Sequence, residues 1–468
     1  MRVPQMRRSL AAVGFLSLSL GLLAPKAPLP AHSRFGAPPE EIAVLEKGLD
    51  LILHRRYEEA MALFQAYGRK HPYAIIAPIG ESLIHQARMY EGNHFRFTKA
   101  YEEARDRALH LLEKRAPVTA WYHFQKAAIH GVEGLFKVRQ EKWLSALREG
   151  LTAIDALEKG LERDPEFFDA RLGTGIYLYA KSVLGRKSWL IPFSDRRAEG
   201  IREIEIAIEK GSLLTDISKV SLALIYLNER KPARGIGLIR PLRDKYPENV
   251  MIRMLLGRIY MESRRYTQAI REFQDLLRID AGQTRALYYI GRCYLFQRTP
   301  RDRRQLLDRA QQYLELFLAT GPEKKWQAYA NFRLGQVEER RGNFDRAIGY
   351  WERALELKPD YRAPRLQIER VKKRRKEKKT AQRIPLGHIQ EEGTMRQCDF
   401  CARPVAPTRH TREGYVVGHY KAMTGELERI EQSVEERTYA FFRLRDPHDL
   451  VICPQCMEDP EKRRRYLG

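Results

Sequence analysis

The sequence has few cysteines and almost no long apolar runs. Five cysteines in 468 residues cannot supply a disulfide framework for a chain of this length. A mean hydropathy of −0.52 and 31% charged residues exclude a membrane protein with many spans. Hydrophobic residues make up 43% of the chain, which excludes wholesale disorder. At this length we expect at least two folded units.

The sequence also lacks the short motifs that mark common catalytic sites. It has no phosphate-binding G-x-x-x-x-G-K-[ST] loop, no G-x-S-x-G nucleophile turn and no H-E-x-x-H metal-binding pair. Gly173 and Gly175 lie within a helical pattern and do not predict a phosphate loop. We therefore predict that the protein is not an enzyme and has no small-molecule substrate.

The longest apolar run lies at the N-terminus. Three arginines precede an uncharged stretch, residues 9–24, and a proline-rich segment follows. This order is typical of a secretory signal, and the run is shorter than the ~20 apolar residues that a membrane span needs. Residues 1–31 are therefore predicted to be a signal peptide or a short membrane anchor. The protein would then be exported, periplasmic or membrane-anchored, and it would be cytoplasmic if this interpretation is wrong.

Positive charge is in excess, at a formal net charge of +24. Residues 365–383 carry ten basic and two acidic side chains. No aromatic residue lies within the basic patch, which argues against recognition of single strands by base stacking. Two interpretations stay open: a solvated helical tail, and a patch that contacts anionic lipid headgroups or nucleic-acid phosphates. The basic patch consists of Lys372, Lys373, Arg374, Arg375, Lys376, Lys378 and Lys379.

The middle of the chain repeats at fixed offsets. From Gly335, Ala347 follows at +12 and Trp351 at +16. The same offsets recur from Gly257, which lies 34 residues before Gly291. Small residues at the first two positions let helices approach, and the aromatic residue fills the space between them. One helix pair cannot bury its own apolar face, so stacking of successive pairs would supply the core.

This pattern resembles the tetratricopeptide repeat (TPR) family over residues 40–361. The resemblance implies an all-α solenoid of helical hairpins, which we place at residues 38–361 with degenerate repeats. Residues 362–394 are predicted to be a capping helix and a basic linker. An apolar insert, residues 189–193, would either plug the solenoid or form a contact surface.

In the TPR family the first helix of each hairpin lines a concave groove. Aromatic residues, methionine and arginine at the groove positions would suit a peptide or protein segment. The Lys/Asn/Arg set of the family's carboxylate-clamp members is not found at these positions. A second interpretation stays open, in which several of these side chains only pack between repeats. The predicted groove residues are Met251, Met254, Arg258, Tyr288, Arg292, Phe332 and Gln336.

Four of the five cysteines lie in two C-x-x-C pairs that are separated by 51 residues. Four thiolates aimed at one point by two tight turns make a closed, structural Zn²⁺ site. The pattern resembles a zinc ribbon, so residues 395–468 are predicted to be a small α+β domain with a helix over residues 426–436. The fifth cysteine, Cys293, is predicted to be a small buried residue. The predicted zinc ligands are Cys398, Cys401, Cys453 and Cys456.

Export and zinc binding make conflicting demands on these cysteines, because an exported protein meets an oxidising compartment. Three interpretations stay open. The pairs form disulfides, the signal interpretation is wrong, or the cysteine module is a separate gene product joined by read-through.

These observations favour a non-enzymatic scaffold or adaptor that holds partner proteins in the groove of its repeats, with a structural zinc site in its C-terminal module. The alternative is a cytoplasmic nucleic-acid-associated protein that uses the basic patch and the zinc module. Salt dependence separates the two, because phosphate contacts weaken steeply as salt rises.

Overall fold

The structure is a computed structural model that describes residues 34–115, 119–185, 194–297 and 302–383, together with the backbone of short strands between 396 and 450. The predicted signal peptide, the apolar insert and the four paired cysteines lie outside the described residues. The chain divides into two compact units, with the division after Lys373. None of the helices among the described residues is long and apolar enough to span a membrane.

The first unit is an array of helices in which each helix packs against the next one along the chain. Eight successive pairs form hairpins I to VIII, and one further helix follows them. The helices are α1 (Pro39–Leu53), α2 (Tyr57–Lys70), α3 (Ile76–Glu91), α4 (Thr98–Glu113), α5 (Ala120–Arg139), α6 (Trp143–Arg163), α7 (Ala170–Gly185), α8 (Arg197–Lys210), α9 (Thr215–Asn228), α10 (Pro232–Lys245), α11 (Val250–Glu262), α12 (Tyr266–Ile279), α13 (Arg285–Phe296), α14 (Arg303–Ala319), α15 (Lys324–Arg341), α16 (Phe344–Leu357) and α17 (Arg362–Arg383).

The repeat spacing has a direct packing cause. A Cβ atom on Gly257 of α11 would lie 2.6 Å from the ring of Phe273 on α12. Gly335 of α15 faces Trp351 of α16 in the same way. Both aromatic side chains are fully buried. The glycine and the aromatic residue therefore set how closely the two helices of a hairpin approach, and the prediction of an all-α repeat fold is confirmed for this part of the chain.

One departure from the repeat pattern is explained by an ion pair. Glu338 follows Gly335 by three residues, at the position where Tyr260 follows Gly257, and its side chain is buried in α15. The carboxylate accepts hydrogen bonds from Arg341 Nη1 at 2.6 Å and from Asn343 Nδ2 at 2.8 Å. Arg341 also pairs with Asp308 of α14 at 2.5 Å. The ion pair between Arg341 and Asp308 thus joins hairpin VIII to hairpin VII.

The further helix, α17, covers the apolar side of hairpin VIII. Ile368 and Val371 are buried in one small cluster with Phe332 and Trp351. Leu366 is exposed, because it lies on the opposite side of α17. The charged end of α17 extends beyond these contacts.

In the second unit the described backbone forms short strands. β3 (Val416–Lys421) pairs antiparallel with β4 (Glu426–Glu428) and parallel with β7 (Ala440–Leu444). The helix predicted over residues 426–436 is wrong, because β4 lies there and pairing with β3 overrides the local helical pattern. A zinc-ribbon arrangement stays a prediction. The other strands are β1 (Arg396–Gln397), β2 (Pro404–Val405), β5 (Ser433–Val434), β6 (Arg437–Thr438) and β8 (Asp449–Leu450).

Candidate functional site

The first helices of hairpins V to VIII stand side by side, since α9 contacts α11, α11 contacts α13, and α13 contacts α15. Two of the predicted groove residues on these helices are buried: Tyr288 is 4% exposed and Phe332 is 5% exposed. Tyr288 packs against Phe317 and Trp326, and Phe332 packs against Tyr361. Both rings therefore pack between repeats, as the second interpretation of the sequence allows. The partly accessible groove residues are Met251, Met254, Arg258, Arg292 and Gln336.

Arg292 of α13 lies against one of these buried rings. Its guanidinium carbon is 5.9 Å from the centroid of the Tyr288 ring, and its side chain is 14% exposed. The nearest carboxylate oxygen belongs to Glu262 at 3.8 Å, which is beyond hydrogen-bond distance. Arg292 Nε is buried and has no hydrogen-bond acceptor among the described residues. The guanidinium is thus held in place while part of its donor capacity is unused.

Arg333 of α15 repeats this arrangement one hairpin further along. Its guanidinium carbon lies 5.3 Å from the Phe296 ring and 5.2 Å from the Phe332 ring. Arg333 Nη1 donates to Gln336 Oε1 at 2.7 Å, whereas the described part of the chain offers no acceptor to Arg333 Nε. Two adjacent first helices therefore each present an arginine that is positioned by aromatic rings.

Basic side chains from distant repeats converge at Tyr90, close to the end of α3. Burial raises the pKa of Tyr90 to about 12, and the charges of Arg139, Arg258 and Arg285 oppose that rise. The Arg139 guanidinium carbon lies 5.0 Å from the Tyr90 ring centroid. Burial and the nearby Arg285 lower the pKa of Arg139. Hairpins II, III, VI and VII therefore contribute to one positively charged region.

Contacts between hairpin I and the later hairpins create this convergence. Asn249 Nδ2 donates to the backbone oxygen of Leu53 at 2.8 Å, across 196 residues of sequence. Arg55 pairs with Glu91 at 2.5 Å and with Asp280 at 3.3 Å. The repeat pattern gave no signal for these contacts, because they join the turns and connections between helices rather than the repeated core positions.

The other predicted sites can be placed only in part. Lys372, Lys373 and Arg374 are exposed on α17 and Arg375 is partly buried, whereas the side chains beyond Arg375 lie outside the described residues. Across the described ranges, no group of three or more His, Cys, Asp or Glu side chains is arranged to hold a metal ion. Cys293 is fully buried, and burial raises the pKa of its thiol to about 12, as expected of a small core residue.

Known protein families and solved structures resemble parts of this chain. Two family models, both described as tetratricopeptide repeat, match residues 220–284 and 328–361. A search of curated protein sequences finds no relative. One similar solved structure is the APC/C hetero-tetramer Cut9–Hcn1, at 15% identity and a TM-score of 0.47, with 72% of this chain and 57% of that chain covered.

Two further solved structures are similar over their whole length. PilF of Pseudomonas aeruginosa has 14% identity and a TM-score of 0.38, with 54% of this chain and 99% of that chain covered. YrrB, described as a TPR protein with an unusual peptide-binding site, has 14% identity and a TM-score of 0.31, with 46% of this chain and 98% of that chain covered. The family models show tetratricopeptide repeats at residues 220–284 and 328–361, where the structure has helical hairpins.

Proposed function

We propose that this protein is a non-enzymatic scaffold that binds a peptide or protein segment on the face formed by α11, α13 and α15. The observation that carries the proposal is the mixed character of that face. Met251 and Met254 remain partly accessible beside Arg258 and Arg292, although most large apolar side chains of these helices are buried. Accessible methionine and arginine over a rigid helical surface are typical of sites that bind protein segments.

The groove can be tested with peptides selected from a random library for binding to the full chain. Met254→Asp should weaken the selected peptides about tenfold or more, because it removes apolar contact area and places a carboxylate beside Arg258, four residues further along α11. Leu316→Asp is the matched control, since Leu316 is an exposed apolar residue on α14, a second helix. Equal affinity of the Met254→Asp and parent chains, measured by fluorescence anisotropy, would contradict the groove.

We further propose that Cys398, Cys401, Cys453 and Cys456 bind one structural Zn²⁺ ion. The support is the pairing of two C-x-x-C motifs, which supplies a complete tetrahedral ligand set. Metal analysis of the full chain should find about one zinc per chain. Cys398→Ser should lose the metal, whereas the control Cys293→Ser should retain it. Oxidised thiols without zinc would instead support the disulfide interpretation.

Residues 1–31 are proposed to direct export or membrane anchoring, on their sequence pattern alone. The nucleic-acid alternative depends on the basic patch, of which Lys372, Lys373 and Arg374 are exposed. Contact of this patch with lipid headgroups or nucleic acid likewise stays a prediction.

A further inference from the structure

We infer that the groove binds an acidic peptide segment, and that Arg258, Arg292 and Arg333 are the groups that bind its carboxylates. This inference rests on the proposed groove function and adds the chemical class of the occupant.

Carboxylate counter-ions are scarce around these three arginines in the described part of the chain. In the same hairpin as Arg258, Arg253 pairs with Glu272 at 3.0 Å. Arg258 and Arg333, by contrast, have no carboxylate within 4 Å in the described part of the chain, and Arg292 has only the distant Glu262. Partly buried arginines without counter-ions raise the local positive potential, and this potential favours an acidic occupant.

The three arginines lie on successive first helices, at a spacing that an extended peptide can match. Arg258 and Arg292 are 34 residues apart, which is one repeat, so they occupy equivalent places on α11 and α13. On α15, the next first helix, the equivalent position is Gln336, and Arg333 lies three residues before it and donates to its side chain. Neighbouring helix axes are about 10 Å apart. An extended peptide advances about 3.3 Å per residue, so acidic residues at about every third position would meet successive arginines.

The buried aromatic rings beside these arginines favour a peptide over a single-stranded nucleic acid. Proteins that bind single strands without sequence preference stack the bases on accessible aromatic rings. The rings of Tyr288 and Phe332 are buried and already lie against Arg292 and Arg333. Those faces are therefore not available to bases. The rings instead hold the guanidiniums in place, so that less side-chain entropy is lost when a carboxylate binds.

The terminal nitrogens of these guanidiniums can donate to a bound acid. In the described part of the chain Arg292 has no carboxylate at hydrogen-bond distance, and Arg333 donates to the neutral side chain of Gln336. A carboxylate in the groove would accept charge-assisted hydrogen bonds from these nitrogens, and a planar guanidinium favours two-point contact with a planar acid. The arginines that converge at Tyr90 extend the positive region beyond these three residues.

The test uses the full chain and two labelled peptides of about twelve residues, one with Glu at every third position and one with Gln in place of each Glu. We expect the Glu peptide to bind at about 0.15 M salt and the Gln peptide to bind about tenfold more weakly or not at all. The double variant Arg258→Gln/Arg292→Gln should weaken the Glu peptide by about thirtyfold.

The matched control is Arg240→Gln/Arg271→Gln, which removes the same charge from exposed positions on second helices. It should leave the affinity within about threefold of the parent chain. Thermal unfolding of both double variants reports whether the fold is retained.

Three results would overturn the inference. They are equal binding of the Glu and Gln peptides, no binding of the Glu peptide, and binding of an oligouridylate probe that displaces the Glu peptide and is lost in the Arg258→Gln/Arg292→Gln variant. The last result would assign the groove to nucleic acid. If neutral library peptides bind the parent chain and Met254→Asp weakens their binding, the groove function stands and only the acidic preference fails.

Discussion

Trp351→Ala is expected to lower the free energy of unfolding of the last hairpin by about 3–5 kcal/mol. Trp351 is fully buried, fits against Gly335, and donates from Nε1 to the backbone oxygen of Phe332 at 3.2 Å. It is the largest side chain in the small cluster that also holds Ile368 and Val371. Because each repeat is stabilised mainly by its neighbours, the damage should be confined to hairpin VIII and α17.

Native-state hydrogen exchange measures this effect by region. Amide protection should fall in α15, α16 and α17, and protection in α1 to α8 should be unchanged. Glu352→Ala is the control, because Glu352 is exposed on the same helix and its loss should change the unfolding free energy by no more than about 0.5 kcal/mol. Uniform loss of protection along the whole array would show that the repeats unfold as one unit and would contradict the local prediction.

Asp169→Ala is expected to destabilise the middle of the array by about 3 kcal/mol. Asp169 is buried just before α7, and its carboxylate accepts backbone N–H hydrogen bonds from Ser212, Leu213 and Leu214. The shortest of these is 2.7 Å, from Leu214. The carboxylate therefore holds the connection between hairpins IV and V, and its removal leaves three backbone donors without their acceptor.

The free energy of unfolding of the Asp169 variants can be measured by urea denaturation, with circular dichroism as the signal. Asp169→Asn keeps the shape of the side chain but loses the charge-assisted component, so it should fall between the parent chain and Asp169→Ala. Glu209→Ala removes an exposed carboxylate from α8 and should behave like the parent chain. If Asp169→Ala also matched the parent chain, the proposed role of this carboxylate in joining the two hairpins would be wrong.

The sequence alone determined how the two helices pack in hairpins VI and VIII. Gly257 and Phe273 belong to one hairpin, as do Gly335 and Trp351, so their fixed offsets report contacts between neighbouring helices. Contacts of this kind repeat along the chain and leave a periodic pattern. The buried position of Cys293 was also predicted, from the tendency of a free cysteine to act as a small apolar residue.

Only the tertiary structure decided which of the predicted groove residues are accessible and which distant hairpins contact each other. Tyr288 is buried against Trp326 of the next hairpin, and Phe332 is buried against Tyr361, just before α17. The spacing within one repeat does not show these contacts. The bond from Asn249 to Leu53 joins residues 196 positions apart. Such a contact depends on the small rotation between each hairpin and the next, summed over several repeats, and no local pattern in the sequence records that sum.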